Sequence, residues 1–409
     1  MIRGFIIFLF YAYGNSIKSF VALGVCIFSL VSSAEDDTSS NFDPTVNEFY
    51  LITVDVGSQI WDNFGHSALR IVNKKTGSDL TYNWGVFDAS NGWIRFGLDF
   101  FLGEINYQLV AQETFLELKL YERQERSVWQ ERINLNNRQK QRLYNIIEKN
   151  LKPENRSYKY HYFFNNCTTV IRDYLDDVFD GVLQSEISGD VNRTFRDEIR
   201  EHYASRQLIS FSLDILMNKD VDRLMTRWES LFLPGELRKV LSSAESSVGV
   251  NVARLPLLSQ SESLLSFSSP VKESNPYQLI FWLLLLPSLF LGVCVRRNHQ
   301  MYFGRDVQLG LRYEKVNFRI LGLVGAVVSI FSGSYGAVML GGWFFSSHTE
   351  LFGNINLLLF WPTDLVGFFI AMNWLLTSKP WPISHNSSPF IMYYGMVHAL
   401  GLLIYLTVW

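Results

Sequence analysis

The sequence predicts an α+β domain carried outside the cytoplasm, followed by an all-α bundle of four membrane-spanning helices. Three observations predict it. Residues 1–34 have the make-up of a secretory signal. Short alternating segments then give way to stretches of helical spacing, the order that marks an α+β domain. Beyond residue 277, four apolar runs appear in close succession, each near the ~20 residues that a spanning helix needs. A soluble helical core does not account for four such runs so close together.

In the signal, Arg3 and Lys18 precede an apolar run at 20–31, and Ser32-Ser33-Ala34 supplies small residues for cleavage before Glu35-Asp36-Asp37. Cys26 does not open a lipobox, because Val25 stands where a small residue belongs. Cleaved, or kept as an anchor, the segment exports the domain that follows. A net charge of −3 carries no nucleic-acid footprint, while an aromatic content of 15% suits a protein that meets lipid.

Strands are expected at 48–56, 67–72, 80–87, 106–121 and 127–135. In the first, Tyr50, Ile52, Val54 and Val56 share one face, with Thr53 and Asp55 on the other. Residues 137–151 space Leu143, Ile146, Ile147 and Leu151 as one helical face, and Pro153 stops the helix. A further helix is expected at 168–178, and several more between 194 and 244. The serine-rich stretch 259–274 marks a linker, placed at 259–277. The exported domain with its helical extension thus spans 35–258 and the membrane domain 278–409. Its apolar runs are 278–295, 320–340, 351–376 and 390–409. Arg296, Arg297, Arg305, Arg312, Lys315 and Arg319 separate the first two runs, whereas residues 346–350 carry no basic group. By the positive-inside rule the arginine-rich loop is cytoplasmic and the 35–258 domain is outside, in agreement with the signal.

Export sharpens the cysteine arithmetic. Of three cysteines, Cys26 falls in the signal and Cys294 in an apolar run, which leaves Cys167 alone in the exported domain. A disulfide within that domain is excluded, and one cysteine makes a poor metal site. Val170, Ile171, Tyr174, Leu175 and Val178 form an apolar stripe, and Cys167 opens it at the helix start. A thiol there feels the positive end of the helix dipole, which favours thiolate. Asn165, Asn166, Thr168 and the first-turn N–H groups are candidate oxyanion or substrate-positioning donors. Taken alone, the stretch favours a packed structural thiol.

A base is sought among seven histidines. His299, His348, His385 and His398 belong to the cytoplasmic loop or the membrane part, so His66, His161 and His202 remain. His66 follows Gly65 at the lip of a strand, and a strand-borne His facing a helix-N-terminal Cys is an arrangement that activates thiols. His161 sits close to Cys167 in an aromatic run, and His202 lies among charges. No P-loop or metal-ligand cluster appears, so no cofactor or metal is expected.

The stretches "NFGHSALRI", "YNWGVFD", "LYERQERSVWQERINLN" and "PENRSYKYHYFFNNCTTVIRD", spread over residues 48–180, resemble the N-terminal periplasmic domain of the Lnb-type bacterial lipoprotein N-acyltransferases. The His-before-Cys order is also similar to the circularly permuted papain-like group that includes lecithin:retinol acyltransferase. The resemblance implies a permuted papain-like fold, with Cys167 as nucleophile and His66 as its base. Papain-like sites want a polar residue to hold the imidazole tautomer. Asn83 is the candidate, with Asp88 behind it, although Asn83 would equally cap a turn. The implied reaction moves an acyl chain from a membrane phospholipid, through a Cys167 thioester, to the N-terminal amine of a diacylglyceryl-cysteine lipoprotein. The implied setting is a multi-pass protein of the bacterial inner membrane with its catalytic domain in the periplasm.

The alternatives are a membrane-anchored papain-like peptidase or amidase of the cell envelope, and a non-catalytic envelope protein that binds lipid or peptide. Asp364, in an apolar run, is a candidate membrane-face site, because a carboxylate there is costly. It serves equally as the cap of a helix that starts after Pro362.

Overall fold

The computed structural model describes residues 42–87, 92–246, 255–269, 310–377 and 388–408. The expected signal, the apolar run at 278–295, Asp88 and Arg296, Arg297 and Arg305 lie outside the described residues. The chain divides into two compact units. One comprises Met1–Ser188 with Glu229–Ser269, the other Gly189–Trp228 with Pro270–Trp409.

The first unit is built on a seven-stranded antiparallel sheet. Its strands are β1 (Asn47–Val54), β2 (His66–Asn73), β3 (Asp79–Val86), β4 (Asn106–Glu113), β5 (Val128–Arg132), β6 (Ser157–Lys159) and β7 (Glu262–Leu265), in the order β7-β5-β1-β2-β3-β4-β6. Sequence neighbours β1 to β4 pair in succession, as consecutive strands usually do. The centre of the sheet is apolar on both faces, with Phe49, Leu51, Ala68 and Leu69 fully buried. The longer helices of this unit's first segment are α1 (Trp93–Leu102), α2 (Thr114–Arg123), α3 (Asn137–Leu151) and α4 (Cys167–Val178), and a short one, Val182–Glu186, follows α4. α4 lays Ile171, Leu175 and Val178 against β2 and β3. α3 covers α4 and β4 with Leu143 and Ile147, and the helix Pro234–Ser243 packs on β1 and α4.

α3 occupies residues 137–151, as its spacing predicts. Asn136 caps it by accepting from Gln139 N–H, while the Gln139 side chain returns the bond, and the helix ends at Leu151, two residues before Pro153. The expected strand at 106–121 is corrected: only 106–113 is extended, and 114–123 is helical. Thr114, Glu117 and Tyr121 are its buried residues, a three-and-four spacing that an alternating reading of Phe115, Glu117, Lys119 and Tyr121 hides. The linker expected at 259–277 is also corrected in part. Residues 262–265 are strand β7, where Glu262 accepts from Gln130 Nε2 at 2.7 Å and pairs the stretch to β5.

The helical extension does not stay whole with the sheet. Residues 189–228 group with the C-terminal segment, held there by amide side chains. Asn354 Nδ2 donates to Ile215 O at 2.8 Å and Leu216 O at 2.9 Å, and Asn218 Nδ2 donates to Phe352 O at 2.9 Å. Within this second unit the helix Gly310–Phe345 contains a 27-residue apolar stretch, Arg319–Phe345, long enough to cross a membrane. The run at 351–376 is broken rather than continuous: short turns lead through Pro362 into the helix Leu365–Thr377, with a 58° bend at the break. A last helix covers Ser388–Val408. Among the described residues, one helix is long and apolar enough to cross a membrane, or two if the bent pair counts as one span; the first of the four expected spans lies outside them.

Candidate active site

Cys167 is the first residue of α4 and is 8% exposed. Its placement is set by Asn166, whose Oδ1 accepts from Thr168 N–H at 2.9 Å and Thr169 N–H at 2.8 Å, while Thr169 Oγ1 accepts from Asn166 N–H. This reciprocal cap fixes where the helix begins. Asn166 Nδ2 donates to Tyr162 O at 2.9 Å and Phe232 O at 3.0 Å, tying the loop before the thiol to the segment that starts at Glu229.

His66 opens β2 and is partly buried. Gly65 makes that position possible: its φ is +80°, and an added Cβ would lie 2.7 Å from Val54 O. His66 Nε2 lies 3.0 Å from Asn83 Oδ1 on β3. Asn83 Nδ2 in turn donates to Glu117 Oε1 on α2 at 3.0 Å, with Asn83 and Glu117 both buried. Because the Glu117 carboxyl takes the amide N–H, Asn83 turns its oxygen toward the ring. His66 Nε2 then donates, and Nδ1 is left as the nitrogen that faces the thiol.

The electrostatics follow from this arrangement. Burial pushes the Cys167 thiol up, but the His66 charge, its hydrogen bond and contacts from Ser67 N–H and Thr168 bring it down to about 7. Burial works against protonated His66, yet the Cys167 thiolate and Asn83 hold its pKa above the ordinary value. Burial raises the Glu117 carboxyl, with His66 and Tyr121 partly offsetting it. Each partner stabilises the charged form of the other, which is the condition for a reactive thiolate near neutral pH.

Cys167, His66 and Asn83 are thus brought together. Asn165 and Asn166 are not free donors. Asn165 Nδ2 donates to Lys159 O at 2.7 Å, and Asn166 is occupied at both ends. Thr168 Oγ1 lies 3.7 Å from Cys167 Sγ and donates to Ser67 Oγ at 3.2 Å. His161 accepts at Nδ1 from Phe163 and Phe164 N–H, a loop-closing role. His202 falls in the second unit, its Nδ1 bonded to Glu198 O. Sequence reasoning missed Glu117, because its stretch was read as strand. The buried three-and-four spacing of Thr114, Glu117 and Tyr121 was the available signal.

The model of the Lnb N-terminal periplasmic domain family matches residues 34–214. This part of the chain belongs to that family. No curated protein and no solved structure matches. The matched stretch thus covers six of the seven strands, β1 to β6, with α1 to α4 and Cys167, His66, Asn83 and Glu117, and it runs on into the first helices of the second unit. The four sequence stretches that carry the resemblance all fall inside the match.

Asp364 belongs to the second unit and terminates a short turn, Pro362–Asp364. It accepts from Trp361 N–H at 3.2 Å, from the Ser332 hydroxyl and from Tyr394 Oη, with His398 Nε2 at 3.2 Å. The carboxylate caps the break in the apolar run and joins three helical segments through polar contacts.

Proposed function

We propose that this protein is a cysteine-dependent acyltransferase of the bacterial cell envelope, which N-acylates lipoproteins. The observation that carries the reading is the His66–Cys167 pair, held in one tautomer by Asn83, with a thiol that titrates near 7. The membrane-length helix and the Lnb domain favour a lipid substrate over a peptide. The domain is then periplasmic and anchored by several passes through the inner membrane.

In the first half-reaction, Cys167 Sγ attacks an ester carbonyl of a membrane phospholipid. The tetrahedral intermediate collapses, and His66 donates its proton to the departing glycerol oxygen. In the second, the N-terminal amine of a diacylglyceryl-cysteine attacks the thioester. His66 accepts the amine proton, and Cys167 leaves as thiolate. An α-amine titrates near ~8, so an appreciable fraction is uncharged and nucleophilic at neutral pH. The aromatic series Tyr160, Tyr107, Phe87 and Phe96, with centroid separations of 4.3, 5.4 and 4.9 Å, offers an apolar wall for the acyl chain. Its Tyr160 end lies beside the thiol: a Cβ built on Gly85 would be 3.8 Å from the Tyr160 ring and 4.0 Å from Cys167 Cβ.

The test is the N-terminal mass of a reporter lipoprotein in cells carrying the wild type or Cys167→Ala. The expected result is one additional acyl chain with the wild type and none with the variant. An unchanged mass in both sinks the acyltransferase reading. Cleavage of envelope peptide that depends on Cys167, with no change in lipoprotein mass, supports the peptidase or amidase instead.

A further inference from the structure

Beside the thiol, one buried hydroxyl has no partner. Tyr158, in β6, places its phenolic oxygen out of reach of solvent, and that oxygen makes no hydrogen bond among the described residues. Leaving a buried donor unmatched costs ~1–3 kcal/mol, so such groups are uncommon and concentrate where a ligand supplies the missing partner.

The place it points to is defined by Gly85. β3 is irregular between Asn83 and Val86 in its pairing with β4, and Gly85 has φ +92°. A Cβ at that position would stand 3.8 Å from Tyr158 Oη and 4.0 Å from Cys167 Cβ. The tyrosine hydroxyl and the nucleophile therefore border the same gap, kept open because residue 85 has no side chain. Of the donors that sequence spacing suggests for this role, Asn165, Asn166, the Thr168 hydroxyl and the N–H groups of Thr168 and Thr169 are committed elsewhere. Asn166 Oδ1 takes the N–H groups of Thr168 and Thr169, and the Asn165 and Asn166 amides donate to backbone carbonyls. Burial, and next the charge of Cys167, holds the Tyr158 phenol far above its ordinary value, so it remains a neutral donor at any working pH.

We infer that the Tyr158 hydroxyl is a catalytic group, which donates a hydrogen bond to the substrate carbonyl oxygen as Cys167 Sγ attacks. The inference rests on the acyl-transfer reading above. As the Sγ–C bond forms, the carbonyl π pair moves onto oxygen. Tyr158 holds that oxyanion without giving up its proton. The π bond then re-forms, the C–O bond to the alcohol breaks, and His66 protonates the leaving oxygen. Electrostatic stabilisation of this kind works because the donor is already aimed at the place where charge develops.

The test uses the full chain carrying Tyr158→Phe, which removes one oxygen and keeps the ring. Three rates are compared with wild type: acylation of Cys167 by a 4-nitrophenyl acyl ester, acylation by phospholipid vesicles, and alkylation of Cys167 by iodoacetamide. Both acylations pass through an oxyanion and alkylation does not. The expected result is a fall of about 10²-fold or more in nitrophenyl-ester acylation, with the alkylation rate and its pH profile unchanged. Acylation by that ester within about threefold of wild type overturns the inference. An equal fall in alkylation overturns it too, since the tyrosine then supports structure rather than the oxyanion. Failure of the wild type to react with phospholipid, while it still reacts with the nitrophenyl ester, counts against the lipid donor and leaves the Tyr158 comparison decisive.

Discussion

Removing the imidazole by His66→Ala has a consequence whose size follows from the site. In the wild type, the thiol titrates at about 7 against an ordinary value of 9.0, although burial by itself pushes it upward. Without His66 the lowering contributions from its charge and hydrogen bond vanish, so the thiol moves back up toward its ordinary range. The sign is that of a depressed acid: thiolate appears as pH rises through the pKa, so the reactive form is present above about 7 in the wild type. In the variant it is present only at alkaline pH. At pH 7 the thiolate fraction falls from about one half to roughly 1% or less. A more basic thiolate is a better nucleophile, which recovers roughly six- to tenfold over two units. The net expectation is a five- to tenfold slower alkylation of Cys167 by iodoacetamide, on the order of the ratio of those effects. The decisive measurement is the pH profile of that rate on the full chain, from about pH 5 to pH 10, where the inflection is expected to rise by about two units. An inflection displaced by less than about one unit would refute His66 as the group that activates Cys167.

Three further outcomes follow from the same geometry. Glu117→Ala frees the Asn83 amide to turn its N–H toward His66, so Cys167 acylation falls by roughly 5- to 150-fold, the equivalent of ~1–3 kcal/mol. Glu117→Gln, which still accepts from Asn83 Nδ2, stays much closer to wild type, and single-turnover acylation distinguishes the two. Gly65→Ala brings a Cβ to 2.7 Å from Val54 O at φ +80°, and urea denaturation is expected to show a loss of about 1–3 kcal/mol. Asn166→Ala uncaps α4 and removes the donor to Tyr162 O and Phe232 O. Thermal unfolding registers this as a loss of about 2 kcal/mol, and the iodoacetamide rate also falls as the helix start loosens.

Much of the first unit was legible because its signals are local. The helix at 137–151 has its apolar spacing, its capping residues and a proline beyond its end, all within about twenty residues of sequence. β1 to β3 alternate or run apolar between turns and fall close to their expected bounds. The start of α4 followed from a change of period at Cys167. The 106–121 stretch misled because Phe115, Glu117, Lys119 and Tyr121 alternate in sequence, while burial selects Thr114, Glu117 and Tyr121. Nothing local marks 262–265 as a strand either, since the serine-rich stretch becomes extended only by pairing with β5 across the chain.

The sequence by itself determined an α+β domain with a single cysteine, the place of that cysteine at a helix start, and a histidine behind a glycine at the lip of a strand. Those conclusions rest on periodicity, composition and counting, which need no distant contact. Only the tertiary structure decided how the site is wired. Asn83 turns its oxygen to His66 because Glu117, thirty-four residues further along, takes its N–H. Asn166 is spent on the helix and on Phe232 O rather than offered to substrate. The Tyr158 hydroxyl reaches the Cys167 gap because Gly85 has no side chain to fill it. Such roles depend on which groups meet across the sheet, and meeting is a property of packing that spacing along one chain does not encode.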